Sequence, residues 1–182
     1  MSGVIHKALA PFTLKGFYLL TWGTALGTNV WQTISAFKAF GTLERKTFGQ
    51  LQAQLQPLYF ATSSALTGAL LAAHLYFHPN LVGSILKTPH WWQIEEGVQG
   101  LFIVASLVPQ LANLLVVGPK AVKVSLERHQ LEQTDGKAYN DANPSEAMVK
   151  LNKSFSTLHG IASSLNLVSF LGLTGLGLAV SL

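Results

Sequence analysis

The sequence predicts an all-α integral membrane protein, a four-helix antiparallel bundle with amphipathic and extended helices in its loops. Three observations carry this. Four apolar runs, at about 17–37, 58–77, 97–118 and 161–182, each have the roughly 20 residues a helix needs to cross about 30 Å of hydrocarbon. Charged residues make up 11% of the chain, against about 25% in soluble proteins, and lie almost wholly between the runs. Hydrophobic residues reach 49% and the mean hydropathy is positive. The whole chain, 1–182, reads as one membrane domain with no room for a second folded unit.

The first run follows His6 and Lys7 and contains Trp22, Asn29 and Trp31. It is too long for a signal core and lacks a clean cleavage site, so it reads as a retained span. Gly23 and Gly27 are spaced to let a neighbouring backbone approach. In the first loop, about 38–57, Thr47 and Gln50 have capping-box spacing. Phe48, Leu51, Leu55 and Leu58 recur at helical spacing with glutamines between them. This predicts a separate interfacial helix over 47–56 that bends at Pro57, which lacks a backbone donor.

Between the second and third runs, His90, Trp91 and Trp92 resemble an interfacial aromatic belt. Glu95 and Glu96 read as cap or solvated charges. In the third loop, about 119–158, a helix is predicted from Gly118-Pro119 to about Gln133. A polar stretch follows over 134–143. Asn143, Pro144 and Glu146 then signal a new helix start that leads into the last run. The near balance of charge in this loop reads as a solvated pair of helix extensions. Gly172, Gly175 and Gly177 give the last helix a smooth face.

Four spans place both termini on the side of Lys7, Lys15 and Lys87. The other side carries Lys38, Arg45, Lys46, Lys120, Lys123, Arg128, Lys137, Lys150 and Lys153. The positive-inside rule assigns these nine, and loops one and three, to the cytosol. The net charge of +4 therefore speaks of orientation and headgroup contact. No basic stripe with interleaved aromatics suggests a nucleic-acid platform.

Cysteine is absent, which excludes disulfides, thiolate metal sites and thiol nucleophiles. His74 and His78 have chelating spacing, but no nearby acid or thiol completes a site, so no cofactor or metal is expected. The four runs contain no Asp or Glu. That removes the acid of a catalytic triad and the mid-membrane carboxylate of a proton-coupled transporter. The chain is therefore expected not to be an enzyme.

Polar side chains inside hydrocarbon need partners. The helix directions deliver Asn29 and Gln32, Gln52, Tyr59 and Thr62, Gln110 and Asn113, and His159, Ser163 and Asn166 to the same, cytosolic, half of the membrane. The expected site is a cluster of Asn29, Gln32, Gln52, Tyr59, Asn113, His159, Ser163 and Asn166, with Arg45, Lys46 and Lys120 at its mouth. Two readings stand. The cluster is a structural hydrogen-bond network, or it holds a lipid headgroup or small amphiphile with the basic residues on its phosphate. Gly160 and Ser163 are expected to help the helices approach.

Three blocks of sequence resemble the transmembrane protein 205 family. The first runs from Trp31 through Phe37, Phe40, Leu43-Glu44-Arg45-Lys46-Thr47-Phe48-Gly49-Gln50 and Leu55-Gln56-Pro57 to Tyr59-Phe60. The second is Asn113 to Pro119 with the helix ending near Glu127-Arg128. The third is Phe155, His159-Gly160, Ser163-Ser164 and Asn166-Leu167. Gly118 stands where some family members carry an acidic residue.

The resemblance implies a four-helix membrane protein without established enzymatic chemistry. It implies intracellular membranes, the endoplasmic reticulum or the mitochondrial outer membrane, and a link to lipid balance and drug tolerance. The functional expectation is a non-enzymatic role in lipid homeostasis or as accessory partner of a membrane complex. The alternatives are a transporter or channel subunit and a lipid-modifying membrane enzyme. Expected partners are membrane lipids, and another membrane protein or a second copy of the chain, not nucleic acid.

Overall fold

A computed structural model describes residues 13–181. Lys7, Leu182 and the start of the chain lie outside the described residues, as does the side chain of Trp91. The described chain is helical: α1 (Leu14–Thr42), α2 (Arg45–Phe77), α3 (Leu81–Lys87), a 3-10 turn (Trp91–Gln93), α4 (Glu95–Ala112), a π turn (Asn113–Val117), α5 (Gly118–Asp135) and α6 (Glu146–Ser181).

Three helical stretches are long and apolar enough to cross a membrane: Arg45–Phe77, Glu95–Asp135 and Glu146–Ser181. Each exceeds the ~30 Å hydrocarbon thickness at about 1.5 Å per residue. α1 is long enough, but threonines, tryptophans, Asn29 and Gln32 dilute its apolar character. The helices pack in the order α1 to α2, α2 to α4, α4 to α6 and α6 back to α1, and α5 lies along α6.

Many large apolar side chains face outward, while many polar ones are buried. Phe37, Leu58, Leu115 and Leu178 are exposed, whereas Asn29, Gln52, Thr67, Ser106, Gln110, Asn113 and Ser169 are buried. Water would favour the reverse. Lipid imposes no penalty on exposed leucine and a large one on an exposed amide. An apolar core of Tyr18, Ala25, Leu70, Ile103, Leu173 and Leu176 is buried as well.

α4 and α6 meet through small residues. Ser106 Oγ donates to the Ser169 carbonyl at 3.1 Å and Ser169 Oγ to the Ser106 carbonyl at 2.9 Å. Gly172 faces Ser106, and its missing Cβ is what allows this approach. Gly175 packs on Phe102, and Gly177 on Trp22, whose indole N–H donates to the Leu173 carbonyl at 2.8 Å. Gly23, Gly27 and Gly160 have open space around them. The close approach expected at those three glycines is not made.

The first loop differs from its predicted form. There is no separate 47–56 helix: α2 runs from Arg45 through Pro57 to Phe77. Its N-cap is Glu44, without a side-chain cap bond, so Thr47 and Gln50 lie inside the helix. Packing overrides the one lost hydrogen bond at Pro57. The leucines of this stretch, Leu51, Leu55 and Leu58, face outward, and Gln52 is buried.

The third loop begins at the π turn, which lies between Pro109 and Pro119, neither of which can donate to the helical ladder. The Gly118 N–H bonds to the Asn113 carbonyl. A Cβ at Gly118 would stand 2.5 Å from that same oxygen, so this turn requires glycine. α5 ends at Gly136, whose φ of 63° is a left-handed C-cap. α6 begins at Glu146, later than Pro144. Ser145 Oγ caps it by accepting from the Met148 N–H at 3.3 Å.

Candidate functional site

The polar residues of α1, α2 and α6 meet at Asn166. Its Oδ1 accepts from the Tyr59 hydroxyl at 2.6 Å and from Asn29 Nδ2 at 3.2 Å. Asn113 is fully buried at the start of the π turn. Its Nδ2 donates to the Ala162 carbonyl at 3.0 Å, one turn along α6 from Asn166. Asn29, Tyr59, Asn113 and Asn166 thus converge through α6, as the cost of bare amides in hydrocarbon requires.

Other buried amides remain open. Asn113 Oδ1, Gln52 Oε1 and both amide atoms of Gln110 have no hydrogen-bond partner among the described residues. Asn113 also lines a cavity of about 410 Å³ between α2 and the π turn with α5. Pro57, Phe60, Leu114, Val122 and Leu126 make its walls apolar, and Lys123 borders it.

The remaining expected residues lie apart. Gln32 is half-buried, and His159 and Ser163 are exposed. α1 and α6 are tied by the Trp22–Leu173 and Asn29–Asn166 hydrogen bonds; among the described residues none follows on the Gln32 and Ser163 side of Asn29, where Ser163 and His159 are exposed. His159 stacks on Phe155 of its own helix, with ring centroids 5.8 Å apart. Lys46 is exposed, and Lys120 lines a groove between α5 and α6.

Arg45 is not a free cation at a mouth. It pairs with Glu132 at 2.6 Å and lies over the Tyr139 ring, 3.1 Å from its centroid. This belongs to a second assembly that the charge pattern did not reveal. Glu132 also accepts from the Tyr139 N–H at 2.8 Å and faces His129 Nδ1 at 3.1 Å. Arg128, only 6% exposed, lies over Tyr139 and Phe155 and donates from Nε to Asn152 Oδ1 at 2.9 Å. Asn152 Nδ2 donates in turn to the Tyr139 carbonyl at 2.7 Å.

Burial, and then the nearby Arg45 cation, push the Arg128 pKa down, against the pull of Glu132 and Tyr139. Burial alone would raise the Glu132 carboxyl, but hydrogen bonds from Arg45, the Tyr139 N–H and His129 hold it below its ordinary value. Gly49 makes room for His129, whose Nε2 lies 2.5 Å from where a Cβ would stand. The third loop is therefore locked onto the start of α2. No local signal marked it: Tyr139 has no arginine beside it in sequence, and the chain's two arginines, Arg45 and Arg128, reach its ring only through the fold.

At His74, Nε2 donates to the Glu96 carbonyl at 2.9 Å. Among the described residues, no group of three or more His, Cys, Asp and Glu side chains is placed to hold a metal.

An all-helical chain with apolar helices of spanning length and buried polar side chains is a helical membrane protein. Residues 20–130 match the family described as "Domain of unknown function (DUF4149)", and the chain belongs to that family. It is similar to Transmembrane protein 205 of Danio rerio, with 26% identity over 175 residues that cover 88% of each chain. No solved structure matches it.

Proposed function

We propose that the chain is a four-span antiparallel bundle of an intracellular membrane, without catalytic chemistry, that holds a lipid or similar amphiphile between its helices and acts in lipid homeostasis. α1 is the fourth span. Its packing against both α2 and α6 supports this, and so does an Asn29 that is buried toward them rather than turned outward. Loops one and three face the cytosol by the distribution of basic residues. The absence of any acid from the four apolar runs supports a non-enzymatic role.

The observation that carries the reading is the Asn113 cavity. Its walls are apolar, and its lining includes Asn113, whose buried amide oxygen has no partner among the described residues. A hydrocarbon chain suits the walls, and a small turn of the Asn113 side chain, fully buried as it stands, would offer its Oδ1 to a hydroxyl or amide donor. Purification in mild detergent followed by mass spectrometry of bound lipids tests this. The wild type is expected to retain lipid through washing, and Asn113→Leu to retain several-fold less while staying folded. A wild type stripped as readily as an unrelated four-span protein would refute it.

A further inference from the structure

Hydrogen bonds set the register of the helices beyond the cavity. Ser106 meets Ser169, Asn113 meets Ala162, and Arg128 meets Asn152. This antiparallel register brings Lys120 and Lys123 of α5 opposite Lys150 and Lys153 of α6. All four line one groove of about 640 Å³. Among the described residues Glu127 is the one carboxylate lining it, 3.9 Å from the exposed Lys123. Such an exposed pair neutralises little, and among the described residues no ion pair engages Lys120, Lys150 or Lys153.

From these residues we propose that the groove binds the headgroup of an anionic phospholipid. Ammonium groups on both walls suit a phosphate, and the hydroxyls of Ser154 and Thr157, which also line the groove, are further donors. Val124 and Leu158 give it an apolar lining, which suits the glycerol and upper acyl carbons.

Depth favours a lipid over a dissolved anion. Lys120 and Lys123 follow Gly118, the end of the third apolar run, by roughly 3–8 Å along the helix axis. That is the thickness of the headgroup layer, roughly 5–8 Å on each side. Leu115 and Ile161, near the membrane-facing ends of the same walls, are exposed apolar residues. The proposal rests on membrane embedding and not on the Asn113 cavity.

The test titrates the purified full chain in mild detergent with phosphatidylglycerol or phosphatidylcholine and counts retained lipids by native mass spectrometry. The wild type is expected to prefer phosphatidylglycerol at least tenfold. Each lysine contributes about fivefold near an anionic surface, so joint replacement of Lys120, Lys123, Lys150 and Lys153 by Gln should erase the preference. Should that variant not fold, Lys150→Gln with Lys153→Gln is expected to reduce the preference at least fivefold. Lys38→Gln with Lys137→Gln removes equal charge elsewhere and should leave it intact.

A wild type without preference, or a groove variant that keeps it, overturns the proposal. Full displacement of the lipid by millimolar inorganic phosphate or polyglutamate also overturns it, because the ligand would then be a soluble anion or an acidic chain. In Lys150→Gln with Lys153→Gln, neither of which lines the cavity at Asn113, a reduced phosphatidylglycerol preference with phosphatidylcholine retention unchanged separates the groove from that cavity.

Discussion

Asn166 Oδ1 accepts hydrogen bonds from two other helices, from the Tyr59 hydroxyl at 2.6 Å and from Asn29 Nδ2 at 3.2 Å. One acceptor thereby joins α1, α2 and α6. Replacing the acceptor and replacing one donor should differ. Tyr59→Phe removes one bond and leaves no new orphan on Asn29, so it should cost about 0.6–1.7 kcal/mol, the range for interhelical bonds in membranes. Asn166→Leu strands both donors and should cost more, about 1–3 kcal/mol per stranded group. Unfolding of the reconstituted variants in bicelles measures both. Equal costs would mean that the two donors find other partners.

Gly118 tests the π turn. A Cβ there would stand 2.5 Å from the Asn113 carbonyl oxygen, a backbone atom that cannot rotate away. Gly118→Ala should destabilise by about 1–3 kcal/mol, the usual cost of overpacking. It should also change the Asn113 cavity, whose wall includes Gly118. The expected result is a lower melting temperature in detergent together with reduced lipid retention. Unaltered values of both would show that the π turn straightens without cost.

Gly172 makes a parallel case in the α4–α6 seam. Its added Cβ would fall against Ser106 Oγ and 2.9 Å from the Phe102 carbonyl oxygen. Gly172→Ala should therefore separate the helices and weaken the reciprocal Ser106–Ser169 bonds, again at about 1–3 kcal/mol. Gly23→Ala, with open space around it, is the matched control. It should be neutral or slightly stabilising, because alanine is the better helix former. Similar losses at the two glycines would contradict this packing assignment.

What sequence made legible follows from the physics of each signal. Apolar runs report length against bilayer thickness, so the helices over 58–77, 97–118 and 161–181 could be placed without coordinates. The cost of an amide in lipid brought Asn29, Tyr59, Asn113 and Asn166 together, since each had to face inward. Cost says nothing about where neighbouring helices separate, so Gln32, Ser163 and His159 could not be distinguished from them. Local rules failed at Thr47 and Pro57, where tertiary packing carries α2 through a residue that breaks isolated helices. The Arg45–Glu132–Tyr139 assembly was illegible because its partners lie far apart in the chain and their charges nearly balance.

That assembly gives the pH prediction. Arg45, the Tyr139 N–H and His129 hold the folded Glu132 carboxyl below its ordinary value, against the effect of burial. A carboxyl with a folded pKa below its unfolded value stabilises the fold above the unfolded pKa, about 4.3. That stabilisation is lost as pH falls through the lower folded value. Because the Tyr139 N–H donates to Glu132 Oε1 at 2.8 Å, its exchange protection should report the transition directly. After correction for intrinsic exchange rates, protection should hold from neutral pH to about pH 5 and fall in more acidic buffer. Arg45→Gln removes one of the groups that depress the pKa, so its loss should begin at higher pH. Glu132→Gln should flatten the profile, since no carboxylate remains there to titrate. A wild-type profile that matches Glu132→Gln would show that this carboxylate does not hold the third loop to α2.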